Sequence, residues 1–237
     1  MPTLPQSRNH LVFWNVAGIP DTIDDLLRIK ADTRTCLGNL VSSSHDDEEE
    51  VRNSVYSLSI AKYYGCHLLK GENEKGCISQ KIFSHYMIKD ELKTLSTSRE
   101  IDGLVFLSHL PILPTSDDEK LMQEKLKRLG KSINRLTDRE LSETYGKLIS
   151  RNLDYLQHLH PKGEFFFVGG RSECAVWQRY GSTAIVNGVY EILGDERGLK
   201  ELEPARSSTS LVSPGDVDDG YFCILTMPEK KLTFYKI

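Results

Sequence analysis

The chain has 237 residues, with 30 Lys and Arg against 34 Asp and Glu and a formal charge of -4. So close a balance argues against a general polyanion binder, which carries a basic excess. Hydrophobic residues make up 39%, too many for a wholly disordered chain, and a chain of this length buries about 70% of its unfolded surface.

Apolar runs end after about four or five residues, where a membrane span needs about 20. Residues Met1 to Ser7 lack the apolar stretch of a secretory signal. The five cysteines, Cys36, Cys66, Cys77, Cys174 and Cys223, are odd in number and have no CxxC spacing. These features together predict free thiols and an intracellular chain without a membrane span.

In chain order, His10 to Val16 is dense in β-branched and aromatic residues and reads as a strand. A helix should follow near Asp21 or Thr22, where Thr22 and Asp25 resemble a capping box. Its apolar stripe continues through Leu37, Leu40 and Val41. Ser42 to Glu50 (SSSHDDEEE) has no apolar anchor and reads as an acidic linker. Tyr56, Leu58 and Ile60 alternate with small residues, the pattern of a half-buried strand. Gly71 to Gly76 suggests the turn of a hairpin. A short helix around Met87 to Leu95 precedes a buried strand at Leu104 to Leu107.

The middle is predicted helical. Met122, Leu126, Leu129, Ile133 and Leu136 form one face. Thr137-Asp-Arg-Glu140 is a full capping box that opens a second helix, with Leu141, Tyr145, Leu148, Ile149, Leu156 and Leu159 as its stripe and Asn152 inside it. Strand material returns at Glu164 to Val168, Cys174 to Trp177, Ala184 to Val189 and Tyr190 to Leu193. A loop over Glu203 to Asp219 and a hairpin from Tyr221 to Tyr235 complete the chain.

This order predicts an α+β class, with mixed or antiparallel strands at both ends and a central pair of amphipathic helices. The corresponding domain reading is a strand–helix segment over 1–41, an acidic linker over 42–50 and a main domain over 51–237 with a flexible insert near 203–219. One continuous domain is the alternative.

Four groups of residues could carry chemistry. Leu11-Val-Phe-Trp-Asn-Val16 resembles the first strand of an RNA-recognition motif, and Lys162 to Val168 resembles its second signature. The resemblance implies base stacking on Phe13 and Trp14; the alternative is a buried core strand. Lys120, Lys127, Arg128, Lys131 and Arg135 fall roughly opposite the apolar stripe of the central helix and could meet phosphates or an acidic partner, or simply be solvated. Cys174 could be a nucleophile with His158, His109 or His160 as base, although nothing in their order brings them together. Phe167 to Ser172, with Arg171, could form an anion nest or a plain turn. Cys66, His67, Cys77 and His85 lack zinc-site spacing, so no metal and no cofactor is expected.

Because these groups do not converge in sequence, the reading is a non-catalytic regulatory or accessory protein that binds a protein partner. RNA binding through the first strand and the basic helix is one alternative, and a cysteine-dependent hydrolase or transferase is another.

Overall fold

A computed structural model of the chain describes residues 6–15, 22–43, 47–78, 83, 86, 88–109, 116–132, 140, 153–168, 183–186, 189–192, 200–202 and 210–236. The fold is α+β, built on two six-stranded mixed sheets.

The first third winds β1 (Arg8–Phe13), α1 (Ile23–Arg28), β2 (Thr33–Cys36), α2 (Glu48–Tyr63) and β3 (Cys66–Leu68). Parallel strands need crossovers, and here the helices provide them: β1 pairs parallel with β2, and β2 with β3. The hairpin of β11 (Tyr221–Met227) and β12 (Lys231–Lys236) adds antiparallel to β1, and β9 (Lys200–Leu202) adds to β12. The first sheet therefore runs β3-β2-β1-β11-β12-β9. Residues 8–36 and the C-terminal hairpin share this one sheet.

The second sheet runs β4-β5-β6-β10-β7-β8. Its strands are β4 (Ser98–Ile101), β5 (Val105–Ser108), β6 (Phe165–Val168), β7 (Thr183–Val186), β8 (Val189–Ile192) and β10 (Ser210–Ser213). Strands β5, β6 and β10 are parallel, and the other pairs are antiparallel.

Alternation along each strand divides the core. Val12, Trp14, Cys223 and Leu225 of the first sheet meet Val105, Leu107, Phe165 and Phe167 of the second. The opposite residues, Leu11, Phe13, Phe222 and Ile224, lie under Ile23, Leu26 and Leu27 of α1 and Ala61 of α2. The sheets thus pack face to face, and helices cover the outer face of the first.

Several expected elements change identity. Val51, Ser54, Ser57 and Ala61 form the buried face of α2, so the alternating Tyr56, Leu58 and Ile60 lie on a helix rather than a strand. The acidic run is, from Asp47 on, the start of α2 and not a free linker. Asp47 caps it by accepting from the Glu49 amide at 2.8 Å, and Glu48 to Glu50 lie where the helix dipole favours negative charge. The hairpin expected around Gly71 to Gly76 is replaced by β3 and helix α3 (Glu72–Ile78). Leu37, Leu40 and Val41 follow strand β2 instead of extending α1. Thr22 does precede α1, but its side chain makes no cap bond to the helix; its hydroxyl donates to the Val217 carbonyl. The insert near 203–219 contains β10 and the buried Val217.

The short helix expected near residue 90 is α4 (Ile88–Lys93). The central helix, α5 (Ser116–Arg128), stops early: Gly130 takes φ 69° beyond it, and Leu129 is 67% exposed although Leu126 is buried. Ile133, Leu136, Leu148 and Asn152 lie outside the described residues. Among the described residues no helix is long and apolar enough to cross a membrane.

Candidate functional site

The carboxyl ends of parallel strands leave unpaired backbone and loops beyond the sheet, which is where open α/β sheets place ligands. Here β2, β3 and β5 bring such ends together from both sheets. His109 follows β5 and is 2% exposed. Its Nδ1 lies 2.8 Å from the Leu37 carbonyl at the end of β2. A carbonyl only accepts, so Nδ1 carries the proton and Nε2 carries the lone pair. Burial lowers the imidazole's pKa, against the Leu37 bond and the nearby Glu72, which favour its charged form. The ring is therefore neutral at pH 7.

Two glycines let this ring approach the backbone. A Cβ on Gly38, at φ 121°, would lie 2.4 Å from His109 Nδ1, and one on Gly71 would lie 2.3 Å from Asn39 Oδ1 and 2.7 Å from His109 Cε1. No side chain fits in either place.

Glu74, in the first turns of α3, is fully buried and ties β2 to β3. Its Oε1 accepts from the amides of Leu40 at 2.7 Å and Val41 at 3.3 Å, and its Oε2 from those of Asn39 at 2.9 Å and Gly71 at 2.8 Å. Burial pushes the carboxyl up, while these amides act to lower it. Asn39, at φ 60°, closes the lock: its Oδ1 accepts from the Asn73 amide at 3.2 Å, and Asn73 Nδ2 donates to the Val41 carbonyl at 2.9 Å.

The residues singled out in the sequence lie elsewhere. Phe13 is wholly buried under α1 and Trp14 lies between the sheets, so neither ring offers a face to a base. Arg128 ends α5 in solvent, and Lys131 lies past the helix, paired with Glu140 at 2.7 Å. The expected continuous basic face is therefore interrupted. His158 is exposed on helical residues 153–159. Arg135, Arg171, Cys174 and His85 fall outside the described residues.

Burial disfavours the nucleophilic thiolate at each of the described cysteines. Burial raises Cys36 and Cys223 well above the ordinary value and pushes Cys66 and Cys77 up to about 12. The cluster that sequence reasoning missed is Gly38, Asn39, Gly71, Glu74 and His109. Its one available signal was the pair of glycines after apolar strands, each followed within three residues by a polar side chain.

No family model matches the sequence, and no curated protein matches it. Solved structures do. A metallophosphoesterase from Sphaerobacter thermophilus is 13% identical and superposes with a TM-score of 0.58, covering 98% of this chain and 89% of its own. A conserved uncharacterized protein from Streptococcus pneumoniae TIGR4, described as a predicted phosphoesterase, is 8% identical, covering 94% and 85%, with a TM-score of 0.39. A protein described as a candidate diadenosine tetraphosphatase is 14% identical, covering 99% and 95%, with a TM-score of 0.45. The last two are too distant to argue from. The first establishes a shared fold.

This finding corrects the sequence reading. A protein-binding, regulatory chain that is not an enzyme is not what a fold shared almost end to end with a metallophosphoesterase indicates.

The Sphaerobacter thermophilus protein is described as a metallophosphoesterase, but the described residues at this edge of the present chain do not fit a metal. Both oxygens of Glu74 are held by backbone amides and Asn39 Oδ1 by the Asn73 amide, which leaves His109 Nε2 as the one open donor atom of this cluster. The imidazole and the amide fill the space beside Gly38 and Gly71. Among the described residues no three His, Cys, Asp or Glu side chains gather as a ligand set.

Proposed function

We propose that the chain acts on phosphate esters at the carboxyl edge of its parallel strands, around His109. The observation that carries this reading is the fold shared over 98% of the chain with a metallophosphoesterase. His109 supports it chemically. The Leu37 carbonyl fixes the tautomer, and burial keeps the ring neutral near pH 7, so Nε2 has the lone pair a general base requires. In hydrolysis, a water oxygen would bond to phosphorus and pass its proton to Nε2, and the ester P–O bond would break with its electron pair on the leaving oxygen.

The test is turnover of p-nitrophenyl phosphate and bis(p-nitrophenyl) phosphate by the purified chain, with and without added Mn²⁺ and with EDTA. His109→Ala and His109→Gln are assayed beside it after thermal melts have confirmed folding. Turnover that falls about 100-fold in both variants, as expected for loss of a general base, supports the reading. Absence of turnover on both esters under every condition would sink it.

A further inference from the structure

A cavity of about 520 Å³ opens where β3 forms one edge of the first sheet and β4 one edge of the second. It is separate from the edge around His109, since neither His109 nor Gly38 nor Gly71 lines it. Its floor is apolar, made by Leu58 and Ala61 of α2, Leu69 after β3, and Leu95 after α4.

One positive charge faces this floor. Arg99, on β4, is half-buried in the wall. Its Nη1 donates to the Thr35 hydroxyl at 3.3 Å, and among the described residues no carboxylate forms an ion pair with it. The other lining cation, Lys62, is already matched by Glu91 at 2.7 Å. His67, also in the lining, is held neutral by burial and by the Arg99 charge. A half-buried guanidinium without a counter-charge pays for its lost hydration, and burial accordingly lowers the pKa of Arg99; a bound anion would supply that counter-charge.

We propose that this cavity binds a monoanionic amphiphile, an aliphatic carboxylate whose head group pairs with Arg99 and whose tail covers Leu58, Ala61, Leu69 and Leu95. The planar guanidinium suits a carboxylate through two parallel hydrogen bonds. A phosphate dianion would need a second cation, and Lys62 is engaged.

Calorimetric titration with octanoate, octanol and inorganic phosphate tests the assignment on wild type, Arg99→Gln and Arg99→Lys, with melting temperatures recorded for each. Octanoate should bind, and octanol and phosphate should bind at least about tenfold more weakly, a ratio of about 1.4 kcal/mol. Arg99→Gln should weaken octanoate by at least about tenfold with the fold intact, and Arg99→Lys should retain more affinity than Arg99→Gln. If Arg99→Gln does not fold, Thr94→Trp at the exposed rim takes its place and should reduce octanoate binding by obstruction. The proposal is overturned if octanoate does not bind, if octanol or phosphate binds as tightly, if Arg99→Gln binds octanoate like wild type, or if the rim variant leaves octanoate binding unchanged.

Discussion

Replacing Glu74 tests the lock between β2 and β3 directly. Its carboxylate accepts four backbone amides, two on each oxygen, and is fully buried. In Glu74→Ala all four lose their partner in a closed site. A buried orphan donor costs about 1–3 kcal/mol; since these four are neighbours and relax together, the low end applies, giving about 4 kcal/mol in all. Glu74→Gln keeps one carbonyl oxygen, enough for the Leu40 and Val41 amides or for those of Asn39 and Gly71, but turns an NH₂ toward the other pair. Its cost should be about half, near 2 kcal/mol. Glu72→Gln, two residues away and exposed in a pair with Lys75, is the control and should change stability by less than about 0.5 kcal/mol. Urea unfolding followed by circular dichroism reads all three. A Glu74→Ala loss below about 1 kcal/mol, or a Glu74→Gln loss equal to that of Glu72→Gln, would refute the reasoning.

His109 is held neutral in the fold, its pKa lowered chiefly by burial, and His10 is shifted in the same direction for the same first cause. The unfolded chain takes up protons below about pH 6.5, so this contribution to stability is complete above that value and declines as pH falls toward the lowered folded values; His109→Gln should flatten the decline in denaturant midpoints measured from pH 7.5 to 5. Gly38→Ala places a methyl against the imidazole at a backbone angle of φ 121°, and should cost more than about 1 kcal/mol in the same unfolding assay, whereas Gly130→Ala, with open space around it, should cost less than Gly38→Ala. Leu156→Ala, at a buried position, should lose about 2–5 kcal/mol, and Leu129→Ala, which is exposed, should stay within about 0.5 kcal/mol. Cys36 and Cys223 should react with a disulfide reagent only on unfolding, because burial raises both thiols well above neutral pH; prompt labelling of either in the folded chain would contradict their placement.

The elements that could be read from the sequence were those whose own residues carry the burial pattern. The run around Leu11 to Phe13, the Phe165 to Val168 strand and the terminal hairpin are apolar on both faces and bounded by turn residues, so they form strands wherever they pack. The same local logic located α4 and the α+β class. It failed where burial depends on a neighbour. The face of α2 that packs inward is Val51, Ser54, Ser57 and Ala61, mostly small or polar, while the exposed Tyr56 takes part in an alternation that mimics a strand. Only α1 lying beside it and the sheet beneath it select the helical period. Helix α3 follows a glycine that reads as a turn, and it is anchored by Glu74 reaching amides 33 to 35 residues away in sequence. The candidate site has the same origin. Leu37, Gly71 and His109 follow the carboxyl ends of three strands in two sheets, and parallel pairing and face-to-face packing bring those ends together. Sequence periodicity records which face of an element is buried; which strand end lies beside which is decided by pairing between distant segments, and that information exists only in the folded chain.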